Sequence, residues 1–196
     1  MRAIVIAMML AQPELIERTL AIVGGQAITL SDARAAQALG LIDAAPAIPI
    51  GELTQRLVDR ELILREVQRY APAAPPESAV EARLDEVRKR FADTRALTAV
   101  LDTSAFTDAR LRAWVRDDLR TQAYLAQRFA SASTPTDAEI GRAYTGMRDE
   151  FDRQGRTFEQ AMPIIRDRLI ASRRAELIVD WVADLRRRTD VVILQQ

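Results

Sequence analysis

Two short β-forming runs stand at opposite ends of a chain that otherwise reads as helix. Residues 20–30 are Leu-Ala-Ile-Val-Gly-Gly-Gln-Ala-Ile-Thr-Leu. Gly24-Gly25 is a two-residue hairpin signal, because a type I′ turn needs positive φ at both central positions. A lone hairpin is marginal in water and needs a third strand or a covering helix. The other β-branched run is Asp190-Val191-Val192-Ile193-Leu194. The pattern predicts that the two ends meet in one small antiparallel sheet. The fold class is mainly α, a single helical module closed by that sheet.

The helices follow from apolar spacing and capping. Thr29-Leu30-Ser31-Asp32 caps a helix over 31–39, and Gly40 ends it. A loop with Pro46 and Pro49 leads to a strong helix over 51–70, with Leu53, Leu57, Leu64 and Val67 on one stripe. Pro72, Pro75 and Pro76 break it. Ser78-Ala79-Val80-Glu81 reads as a capping box for a helix to about 91, with Leu84, Val87 and Phe91 inward. Residues 93–102 are ambiguous between a helical turn and irregular chain. Thr107-Asp108 opens a long helix to about 130, with an inner stripe of Leu111, Val115, Leu119, Ala126 and Phe129. Capping boxes at Thr136–Glu139 and Thr157–Gln160 open the last two helices, over about 137–151 and 158–188, on either side of a polar hinge at 152–156. Pro163 places the start of the regular helix at Met162 or else a kink.

Composition narrows the chemistry. The 196 residues carry no Cys and no His. Disulfides, Cys- or His-based metal sites, Cys nucleophiles and His-based triads are therefore excluded. No Gly-rich phosphate loop is present. The carboxylate groups Asp117-Asp118 and Asp149/Glu150/Asp152 are interleaved with arginines and point to different helix faces. We expect no catalytic residue, no metal and no cofactor, and hence no enzyme. Acidic and basic residues balance at 28 each, so nothing marks a nucleic-acid partner. Arg186-Arg187-Arg188 falls in a last helical turn, where cations suit the dipole, and reads as a solvated face. Beyond residue 11 no stretch is long and apolar enough for a membrane span. Met1-Arg2 and the apolar run 3–11 have the form of a secretory signal segment. A chain without thiols suits the oxidising compartment beyond it.

Most aromatic residues fall on helix stripes. Phe106, Tyr144, Met147, Phe151 and Phe158 lie instead near helix ends or beside the polar hinge. They are the candidates for an apolar, peptide-binding surface, with ordinary packing as the alternative.

The ordered set of these segments resembles the SurA-type periplasmic chaperones. It comprises the hairpin, Ala27-Ile-Thr-Leu-Ser-Asp32, Leu57-Val-Asp-Arg-Glu-Leu-Ile-Leu-Arg-Glu66, Thr134-Pro-Thr-Asp-Ala-Glu-Ile-Gly-Arg-Ala-Tyr144, Phe158-Glu-Gln-Ala-Met-Pro-Ile-Ile-Arg-Asp-Arg-Leu169 and Asp190-Val-Val-Ile-Leu194. The likeness spans 19–194. It implies one chaperone module, with an N-terminal part 19–151, a hinge 152–156 and a C-terminal helix and strand 157–194, preceded by the signal-like segment 1–18. Relatives carry parvulin-type isomerase domains where this chain has its five-residue hinge, and such a domain does not fit there. The resemblance thus implies an ATP-independent periplasmic holdase for unfolded outer-membrane or secreted polypeptides, without isomerase activity or stable membrane insertion. A factor dedicated to one assembly partner is the alternative, and a prolyl isomerase a more distant one. The short hinge leaves both a monomer and a domain-swapped homodimer open.

Overall fold

In the computed structural model, which describes residues 17–42 and 48–194, β1 (Thr19–Val23) and β2 (Gln26–Thr29) form the hairpin. Gly24 and Gly25 have φ of 52° and 89°, the left-handed values the turn requires. β3 (Val191–Ile193) pairs antiparallel with the other edge of β1, so the order is β2-β1-β3. Gly24 N donates to Asp190 O (2.8 Å) and Leu194 N to Leu20 O (2.9 Å), fastening both ends of the third strand. The expected meeting of the chain ends is present, and the first strand is the central one. The signal-like segment falls outside the described residues, apart from its last two positions, 17 and 18.

Among the described residues, seven helices lie between these strands. α1 (Leu30–Ala38) starts from a Thr29/Asp32 capping box in which Asp32 N donates to Thr29 Oγ1 (3.3 Å) and Thr29 N to Asp32 Oδ2 (3.1 Å). α2 (Ile50–Tyr70) is the central helix; Leu53, Leu57, Val58, Leu62 and Val67 are buried on its inner side. α3 (Glu77–Arg88) and α5 (Asp108–Arg128) pack together, and α5 also packs on α2. α6 (Asp137–Arg153) folds back on α7 (Phe158–Arg188), whose C-terminal half returns to α2.

The apolar side chains gather in three clusters. The largest joins the sheet, α1, α2 and the ends of α5 and α7, through residues such as Leu20, Leu53, Leu62, Phe129, Trp181 and Leu185. A second joins Ala35 and Leu39 of α1 to α3, the following helix α4 (Thr94–Thr103) and α5. The third, Ile140, Phe151, Ala161 and Ile165, belongs to α6 and α7 alone. Burying one such large side chain contributes about 1.5–3 kcal/mol; Leu41 and Trp114 pack against both the first and the second cluster and join them.

Several expectations are corrected. α3 starts at Glu77 from Pro76, with no side-chain cap; the Ser78–Glu81 box lies inside the first turn, because Pro76 already supplies the preset φ that starts the helix. The ambiguous stretch is α4, capped by Asp93, whose carboxylate accepts from Ala96 N (2.8 Å). α7 runs from Phe158 straight through Pro163 rather than starting at Met162; Pro163 is exposed, so its ring meets no neighbouring helix, and the helix forgoes one i→i−4 hydrogen bond there. On α5 it is Tyr124, not Ala126, that is buried. The C-terminal arginines are not all solvated: Arg186 donates to Asp59 Oδ1 (2.7 Å) and to Gln55 Oε1 (2.8 Å), and Arg188 to Glu66 Oε1 (2.8 Å), all on α2.

Candidate functional site

α4 carries Leu97, Val100 and Leu101 at i, i+3, i+4 spacing, which commits one face to apolar packing. The helix then ends in a Schellman motif. Phe106 N donates to Leu101 O (2.9 Å) and Ala105 N to Asp102 O (3.2 Å), with Ala105 at φ 51°. Alanine occupies a position that usually holds glycine. This turn delivers Phe106 back beneath α4, where its ring meets Trp114 edge-on at 6.2 Å and the Arg110 guanidinium lies 4.7 Å from its centroid.

The result is an open groove of about 1140 Å³ along α4, bounded by the end of α3 and the α4–α5 turn. Phe91, Leu97, Leu101 and Phe106 form its apolar floor. Its rim is charged. Arg88 is committed to Asp85 (2.7 Å) and Glu81 (3.5 Å). Lys89, Asp102 and Asp108 make no ion pair among the described residues.

The five residues singled out by sequence fall in two places. Phe106 is in the groove, 3% exposed, and packs in the second cluster. Tyr144, Met147, Phe151 and Phe158 come together in the α6–α7 hairpin, brought into contact by the reversal at Gly155 (φ 64°). Phe151 is fully buried there and roofed by Tyr144, stacked at 6.0 Å and 20°. Phe158 meets Tyr144 edge-on at 4.9 Å and is 37% exposed, and Met147 is half-buried. Arg168 closes the side, donating to Glu150 Oε1 (3.1 Å) and to Met147 Sδ (3.5 Å). The Arg168 bond holds the Glu150 carboxyl below its ordinary range. The accessible apolar surface of this hairpin is therefore Tyr144, Met147 and Phe158, with Phe151 supporting it from beneath.

Phe91, Leu97 and Leu101 were missed as site residues. The i, i+3, i+4 spacing of 97, 100 and 101 was the available signal, hidden because the α4 stop is an alanine. Of the carboxylates considered for acid–base work, Asp117 pairs with Arg120 (3.9 Å), Asp118 with Gln122 (3.1 Å), Glu150 with Arg168 (3.1 Å) and Asp152 with Arg148 (3.6 Å). Among the described residues no three acidic groups are gathered as metal ligands, and no helix is long and apolar enough to cross a membrane.

No protein-family model and no curated protein sequence matches the chain. Its architecture does match a solved structure. That structure belongs to work on the virulence factor PEB4 and the periplasmic protein Cj1289 of Campylobacter jejuni, described as two structurally related SurA-like chaperones. The match has a TM-score of 0.53, covers 91% of this chain and 100% of the other, and has 10% identity. The fold is that of the SurA-like chaperones. At such identity the likeness is one of overall fold, not of particular side chains. The groove floor and the α6–α7 aromatic surface must therefore be judged on their own geometry.

Proposed function

We propose that the protein is an ATP-independent periplasmic holdase that binds extended apolar segments of unfolded outer-membrane or secreted polypeptides, without prolyl isomerase activity. The observation that carries this reading is the open groove on α4. It is large enough for several side chains, its floor is apolar, and its lining holds no Cys, Ser or His. An apolar floor with few directional partners tolerates many client sequences. Tyr144, Met147 and Phe158 supply a second apolar contact, and Phe106 anchors the first. The fold likeness to a structure of the SurA-like chaperones supports the reading.

In this proposal residues 19–194 act as one module. The turn between α6 and α7 is the place where an isomerase domain would be inserted in relatives. Clients are held by burial alone, so release needs only competition from the client's own folding.

The test is suppression of aggregation of an unfolded porin-like client on dilution from denaturant, together with anisotropy titration of labelled apolar peptides. Delayed aggregation without ATP is the expected result. Thr98→Trp fills the groove from an exposed wall position and should weaken peptide binding while leaving the fold intact. Phe158→Ser should weaken it further. No effect on aggregation and no peptide binding would overturn the reading, and accelerated cis–trans relaxation of a prolyl peptide would overturn its non-enzymatic part.

A further inference from the structure

The groove is electrically polar along its length. At the end of α4, Asp102 sits in the last helical turn, where the helix dipole disfavours a carboxylate, and no basic residue occupies that turn to offset it. Asp108, in the first turn of α5, lines the same groove. The cation nearest in sequence, Arg110, is committed to Asp32 (2.6 Å) and to the Phe106 ring. Both carboxylates are exposed and unpaired among the described residues. At the opposite end, Lys89 is likewise unpaired, and the N-terminus of α4 adds its positive dipole. Asp93 lies at that end too and keeps its charge, but as the N-cap of α4 it accepts from the Ala96 amide, so that dipole offsets it and Lys89 is the cation left over. Arg88 is neutralised by Asp85 and Glu81.

Length sets the size of the occupant. The 10 residues of α4 span about 15 Å at 1.5 Å per residue. An extended chain covers that distance in four to five residues at about 3.3 Å each. The α4 backbone is satisfied within the helix, so the groove offers no strand edge. Its occupant must be recognised by side chains.

We propose that the groove takes an extended client segment of four to five residues that is apolar at its centre and basic at the end lying against Asp102 and Asp108. This rests on the holdase reading and sharpens it. A carboxylate at that end of the client meets two like charges, whereas a Lys or Arg supplies the cation this helix terminus lacks. The charges act as an orientation filter on top of an unselective floor.

The experiment is anisotropy titration of the full chain with three labelled peptides sharing one apolar core, carrying Lys-Lys, Ser-Ser or Glu-Glu on one flank. At low salt the Lys-flanked peptide should bind about threefold to tenfold more tightly than the Glu-flanked one, as for two rim ion pairs, and the difference should fade at about 0.5 M salt. Asp102→Asn with Asp108→Asn should abolish the preference while the Ser-flanked peptide binds as before. Asp180→Asn on α7 should leave the preference intact. Equal binding of all three peptides, with Thr98→Trp still blocking them, would overturn the charge filter and leave the holdase groove standing. Binding of none would overturn the holdase reading, and this proposal with it.

Discussion

Arg186 of α7 donates through Nε to Asp59 Oδ1 of α2 at 2.7 Å, across 127 positions of sequence. The same guanidinium reaches Gln55 through both its side-chain oxygen (2.8 Å) and its backbone carbonyl (3.2 Å). One side chain thus satisfies three acceptors on the central helix and sets where the last helix lies on it. Arg186→Met should cost about 1–2 kcal/mol, since both partners are partly exposed and screening discounts a charged hydrogen bond. Urea unfolding measures it. A double-mutant cycle with Asp59→Ala should give a coupling of roughly 0.5–1 kcal/mol. Strict additivity would mean that the pair does not hold the two helices together.

Deleting residues 190–196 removes β3 and leaves β1 with an unpaired edge. Val192 and Ile193 are exposed, so the loss is mainly of ladder hydrogen bonds and of half-buried Val191. The cost should be about 2–4 kcal/mol, from a few such bonds at about 1 kcal/mol each. It should appear as one cooperative transition at lower Tm by circular dichroism. An unchanged Tm would contradict the role of β3 in closing the fold.

Ala105 and Ala71 both have positive φ, at 51° and 44°. A Cβ in this region costs roughly 1–2 kcal/mol, partly returned because glycine is freer when unfolded. Ala105→Gly should therefore stabilise the chain by up to about 1 kcal/mol and keep Phe106 in place. Gly40→Ala should do the reverse. Gly40 has φ 61°, and an added Cβ would fall on the Arg90 guanidinium that hydrogen-bonds Leu39 O (3.1 Å). Thermal unfolding of the two variants should move in opposite directions.

The α6–α7 hairpin carries a pH-dependent tie. The Arg173 guanidinium, with the Thr136 amide and hydroxyl, pulls the Glu139 carboxyl down to about 2 from its ordinary 4.5. A group depressed in the folded state contributes its stability above the unfolded value and loses it as pH falls through the folded one. Glu139→Gln should therefore lower Tm by a constant amount above about pH 5. That difference should shrink between about pH 4.5 and pH 2. A difference that persists at pH 2 would show that charge is not its cause.

The hairpin, its Gly24-Gly25 turn, the capping boxes at Thr29, Thr136 and Thr157 and the meeting of the chain ends were legible because each is local chemistry with a fixed period or spacing. The groove was not. α4 hides behind Ala105, whose left-handed conformation has no sequence signature, so the turn that carries Phe106 into the groove looks like ordinary loop. Phe106 and Phe158 were both found as residues outside the helix stripes, yet they occupy separate clusters, since nothing local tells which helix a loop aromatic will meet.

The sequence alone determined the three strands and the helices with a clear apolar stripe, though not α4, together with the closure of the module by its own ends and the absence of thiol and imidazole chemistry. Those follow from period, capping and residue type. The tertiary structure decided that Arg186 ties two helices while Arg187 stays in solvent, that Phe151 is core while Phe158 is surface, and that Asp102, Asp108 and Lys89 line one groove with no ion pair among the described residues. Such choices depend on contacts between residues far apart in the chain. Their energies arise only when burial removes water from one side chain and leaves its neighbour wet.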